Sequence, residues 1–252
     1  MQITNFWNKC KLCGMRTIPL LLLLLSFTTF AQRPLQRQVL ADFRQDYVSR
    51  SPKIPLATQR LVLSKVFRRY LADANRCNFG ATGDDYLAAA RRAGQIVPQI
   101  AETATGSFTA PGQTETAYVI FVNECNASHA DNFGTKRIAI FSGQQLVADV
   151  DADFHGSIVK KTDLDGDGVD ELLMITGDMA QGEITEMASL LSFQKGRLRV
   201  LQDFGTVVED SCASEAPGST AKASVLTLPP NFVPGEMPKI KMDNYIANCR
   251  NP

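Results

Sequence analysis

Histidine is scarce: His129 and His155 are the only two in 252 residues. Any cysteine or serine nucleophile relying on an imidazole base would have to use one of them, and neither lies in a cysteine-hydrolase motif. The chain also lacks a Gly-x-Ser-x-Gly elbow, a His-Glu-x-x-His pair and a glycine-rich phosphate loop, so the usual serine-hydrolase, zinc-protease and nucleotide-binding classes find no footing. No strong charge excess is present, with 26 basic and 26 acidic residues, and there is no aromatic stacking motif. Nucleic acid is therefore excluded as an expected partner. Beyond the N-terminal leader no apolar run approaches the length needed to cross a bilayer, so no transmembrane segment is expected after its removal.

What is present begins with that leader. Arg16, the apolar run from Ile18 through Leu25, and the Thr-x-Ala ending at Ala31 have the charged, apolar and small-residue zones of a signal peptide over residues 1–31. Met15 is a candidate start. Cleavage after Ala31 removes Lys9, Lys11 and Arg16 and no acid, which leaves a net charge of −3. The expected location is secreted or periplasmic. Four cysteines remain: Cys77, Cys125, Cys212 and Cys249. An even number in an exported chain points to two disulfides with three possible connectivities, and sequence proximity favours Cys77 with Cys125 and Cys212 with Cys249.

Charge and periodicity divide the mature chain. Residues 32–105 hold 12 basic and 6 acidic side chains, and residues 106–252 hold 11 and 20. The first region reads as helical. Leu35, Val39, Leu40, Phe43 and Tyr47 recur at helical spacing, as do Leu61, Leu63, Val66, Phe67, Tyr70 and Leu71, and a third helix is expected from Asp84 through Ala93. Arg60, Arg68, Arg69, Arg91 and Arg92 are expected on the outer, solvated faces.

Residues 106–252 read as strands ending in a proline-rich tail. Two segments echo one another. With an offset of 56, Phe108 falls on Leu164, Gly112 on Gly168 and Glu115 on Glu171, and with an offset of 52, Phe141 falls on Phe193. The expected fold is α+β: an N-terminal helical region followed by antiparallel β-meanders resembling two propeller-blade-like repeats.

The most informative stretch is KTDLDGDGVDELLMIT, Lys161 to Thr176. Asp163, Asp165 and Asp167 alternate, and Gly166 and Gly168 allow the backbone to curl so that the carboxylates converge. Hard oxygen donors at this density suit Ca²⁺. The carbonyl oxygen of Val169 and the carboxylate of Glu171 would bring the count toward the six to eight oxygens calcium takes. Asp170 is expected to face solvent. An EF-hand is excluded, because its twelfth position would be Met174 and a strand, not a helix, should follow. Asp149, Asp151, Asp153 and His155 also alternate, and are expected to face water.

The acidic loop and the apolar strand after it resemble the FG-GAP and VCBS repeats of integrin alpha-subunits and secreted bacterial proteins, with Glu171 where those repeats more often carry Asp. The resemblance is local. It implies a structural Ca²⁺ and a binding module for an extracellular protein or carbohydrate. The alternative is an extracellular hydrolase with an acidic active site of unfamiliar type, since acids are plentiful and their spatial spacing is not visible in the sequence.

Overall fold

The computed structural model describes residues 38–45, 52–66, 99–122, 135–152, 156–180, 182–214, 218–230 and 235–249. Its elements in chain order are β1 (Gln38–Asp42), α1 (Leu56–Val66), β2 (Gln99–Gly106), β3 (Glu115–Val122), β4 (Thr135–Ser142), β5 (Gln145–Asp151), β6 (Ser157–Thr162), β7 (Glu171–Ala180), β8 (Glu183–Ser192), β9 (Arg199–Asp210), β10 (Thr220–Leu228) and β11 (Lys241–Asn248). Two single 3₁₀ turns, Gln194–Gly196 and Cys212–Ser214, follow β8 and β9.

All strand pairs are antiparallel, in two sheets. The smaller has the order β2-β3-β4-β5. The larger runs β1-β10-β9-β8-β7-β6, with β11 on the other side of β10. It curls into a half-barrel, and the Lys160 ammonium on β6 donates to the Leu40 carbonyl on β1 at 3.3 Å. Bulges between β8 and β9 let the sheet turn so tightly, since each extra residue bends its strand and increases the twist.

Alternation along the strands explains how the layers meet. On β3 and β4, Ala117, Val119, Ile138 and Ile140 pack against Leu172, Met174, Leu191 and Phe193 of the larger sheet. Their sequence neighbours Tyr118, Ile120, Ala139 and Phe141 face the opposite way and receive Val62 and Leu63 of α1. Tyr118 and Phe141 meet edge to face, ring centres 5.6 Å apart. On β7, Leu173 and Ile175 point into the half-barrel with Leu190, Phe204, Leu226 and Ile240. A strand covered on both faces must be apolar at every position, hence the unbroken run Leu172 to Ile175.

This architecture corrects the expected fold class. The chain is mostly antiparallel β with one described helix, not a helical region followed by blade-like repeats. The first helical series contains strand β1, and Gln99–Gly106, also assigned to the helical region, is strand β2. The second series yields a helix, α1, over its described part. Its continuation, the third series, the leader, Cys77 and Cys125 lie outside the described residues. The local cause of the error is visible in β1. A register shift between Val39 and Ala41 breaks the two-residue alternation, so Leu40, Ala41 and Phe43 are all buried and mimic a helical stripe.

The Cys212–Cys249 disulfide is present, with Cα atoms 5.3 Å apart. Among the described residues no helix is long and apolar enough to cross a membrane.

Candidate metal centre

The acidic loop connects β6 to β7, two paired strands whose ladder ends at Thr162 opposite Glu171. The chain between them folds on its own side chains. Asp163 accepts the Gly166 and Gly168 amides at 2.7 and 3.0 Å, Asp165 the Asp167 amide at 3.2 Å, and Asp167 the Val169 amide at 2.7 Å. These are the short-range carboxylate turns that Asp forms readily. Gly168 carries φ +85°, and a Cβ there would lie 3.1 Å from the Pro111 ring, so conformation and space both call for glycine.

Three of the expected ligands are brought together. Carboxylate oxygens of Asp163, Asp165 and Glu171 lie within 4.8 Å of one another, the spacing of donors around one cation. Asp163 is exposed, Asp165 partly buried and Glu171 only 2% exposed. Asp167 stands outside the trio, and its second oxygen accepts the Gln194 side-chain amide at 3.1 Å. Val169 is buried beside it. Among the described residues none of the four acids forms an ion pair.

The electrostatics follow from this crowding. Burial pushes the Glu171 carboxyl up to about 7, with the charges of Asp165, Asp163 and Asp167 adding to the shift and the Leu164 amide, donated at 2.8 Å, opposing it. Burial likewise raises Asp165, reinforced by Asp167 and Asp163. A divalent cation held there would relieve both penalties, since it would supply the opposite charge. The donor set is oxygen only, which fits Ca²⁺ or Mg²⁺ chemistry rather than a soft metal.

Asp170 does not face solvent. It accepts the Ser107 amide at 2.8 Å and pairs with Lys161 at 3.0 Å, while its own amide donates to the Ser107 carbonyl at 2.6 Å. It thereby ties the acidic loop to the turn before β3. Sequence reading missed this role and that of Gln194, because both join residues far apart in the chain. Asp149, expected to face water, pairs on β5 with Arg137 at 2.8 Å, and Asp153 and His155 lie outside the described residues. The other convergent group, Asp210 with Cys212 and Cys249, has its sulfurs committed to the disulfide.

No protein-family model, curated protein or solved structure matches the chain.

Proposed function

We propose that the loop between β6 and β7 binds one structural Ca²⁺ and that the protein is an exported binding module for an extracellular protein or carbohydrate. One observation carries the metal assignment: the buried Glu171 carboxylate faces Asp163 and Asp165 with no cationic side chain paired to any of them among the described residues. Asp163, Asp165 and Glu171 are assigned as side-chain ligands, with Asp167 and the Val169 carbonyl completing the set. The local resemblance of this loop and its strand to FG-GAP and VCBS repeats supports the same metal. The Cys212–Cys249 disulfide supports an oxidising compartment, in line with the leader over residues 1–31.

The test is calcium titration by calorimetry, with thermal melts in calcium and in EGTA. One site per chain, a melting temperature that falls on chelation, and loss of both effects in Asp165→Ala are expected. A melt indifferent to EGTA, together with no binding heat, would remove the assignment.

A further inference from the structure

The larger sheet has an end strand that nothing among the described residues covers. Most strand edges are guarded. The β6 edge is met by β2, where the Glu102 carboxylate accepts the Ile158 amide at 2.5 Å, and by β1 through Lys160. The Gln194–Gly196 turn comes against β5, with the Gly196 backbone beside the Val147 carbonyl. On β11 several protections of an open edge are missing: it is eight residues long, has no proline, and pairs with β10 from Thr220↔Asn248 to Thr227↔Lys241 without a bulge, while its two charges, Lys241 and Asp243, pair with one another.

Which backbone groups it presents can be derived. The Cys249 amide donates to the Ser219 carbonyl across the ladder, so Cys249 points its backbone groups at the β10 side. The direction alternates along a strand. Asp243, Tyr245 and Ala247 therefore point toward β10, and Met242, Asn244, Ile246 and Asn248 point their N–H and C=O groups away. The partner strand agrees, since the Ser224 carbonyl, opposite Asn244, turns from β11 to accept the Phe43 amide.

We propose that this edge pairs antiparallel with β11 of a second copy across a two-fold axis at Tyr245. The four outward residues carry no charge and are evenly placed, so one symmetric register uses them all: Met242 opposite Asn248 and Asn244 opposite Ile246, each twice. Each such pair exchanges two bonds, about eight in all. The charge pattern fits the same register. Asp243 lies opposite Ala247 and no like charges meet, whereas like charges directly opposed would destabilise the pair. The two Tyr245 residues become a pair without mutual backbone bonds, Cα atoms about 4.5 Å apart, the closest cross-strand position.

Tyr245 is 47% exposed and Ile246 71% exposed. The Arg44 guanidinium lies 4.5 Å from the Tyr245 ring centre, its charge already matched by Asp42 at 2.7 Å. The strand is held in shape before it pairs, by buried Ile240 ahead of it and the Cys212–Cys249 disulfide after it, which lowers the ordering cost of association. A single strand edge is smaller than the roughly 1,200 Å² at which stable interfaces begin. The dimer is accordingly concentration-dependent, with Kd in the micromolar range or weaker.

The experiment is sedimentation of the full chain from about 1 μM to about 1 mM, beside three variants. Ile246→Pro removes an outward amide that the chain's own ladder does not use, and should leave the melt unchanged while abolishing the dimer. Ile246→Thr keeps that amide and should still dimerise. Tyr245→Cys should form a disulfide to its own counterpart, read by mass spectrometry of the linked peptide; this decides the matter should the proline variant fold poorly. A monomer at every concentration overturns the proposal. So does a dimer that survives Ile246→Pro, or one in which Tyr245→Cys does not cross-link.

Discussion

Glu115 and Glu171 each stand at the head of a strand, each only 2% exposed, and each accepts the amide of the residue seven positions earlier, Phe108 at 2.7 Å and Leu164 at 2.8 Å. Their remaining surroundings differ in kind. Glu115 also takes the Thr109 amide at 2.8 Å and the Thr109 hydroxyl, so neutral donors from its own turn satisfy it. Glu171 faces Asp163 and Asp165.

The contrast predicts opposite outcomes for one substitution. Glu115→Gln turns an amide group toward donors and should cost roughly 1–3 kcal/mol with or without calcium. Glu171→Gln relieves carboxylate repulsion, so in EGTA the variant should be at least as stable as wild type, while calcium should no longer raise its melting temperature. Paired melts of the two variants in calcium and EGTA check both.

The pH dependence has a definite sign. Glu171 ordinarily titrates near 4.5 and is held at about 7 in the fold. The folded metal-free protein therefore binds this proton more tightly than the unfolded chain. That contribution to stability is complete below pH 4.5 and is lost as pH rises through about 7. Calcium competes with the same proton, so its affinity should instead increase from pH 5.5 to 8, by at most about tenfold per pH unit for one proton. Denaturant unfolding in EGTA and calorimetric titration across this range should show the two opposite slopes.

Among the acidic residues, Asp167 is the one held outside the convergent trio, by Gln194. Asp165→Ala should accordingly reduce calcium affinity more than Asp167→Ala does. Equal losses by calorimetry would give Asp167 the same weight on the metal as the three convergent acids.

Cys212 and Cys249 are 37 residues apart. Replacing both with serine should cost about 4 kcal/mol through the loop-closure entropy that the bridge removes from the unfolded chain, measured as guanidinium unfolding against wild type. The loss should be present both in calcium and in EGTA, because the loop-closure term acts on the unfolded chain.

Core and surface leucines should separate cleanly. Leu173, fully buried inside the half-barrel, should lose about 2–5 kcal/mol as Leu173→Ala. Leu56, 60% exposed at the start of α1, should change by about 0.5 kcal/mol or less on the same substitution. Urea midpoints of the two variants provide the comparison.

Local chemistry determined what could be read from the chain alone. The spacing of Asp163, Asp165, Asp167 and Glu171 around two glycines defines a loop whose own carboxylates accept its turn amides. The run from Leu172 to Ile175 marks a strand buried on both faces, and Cys212 with Cys249 marks a bridge. Tertiary structure decided the rest, because the deciding contacts are long-range. Gln38–Asp42 becomes a strand only because β10 offers a ladder nearly 190 residues away, and its bulge hides the alternation that would have announced it. Gln99–Gly106 is a strand through its pairing with β3, and its buried Glu102 is tolerated because the Ile158 amide on β6 receives it. Asp170 turns inward to Ser107, 63 positions earlier. The β content of both segments is set by hydrogen-bond partners that no local window of sequence contains.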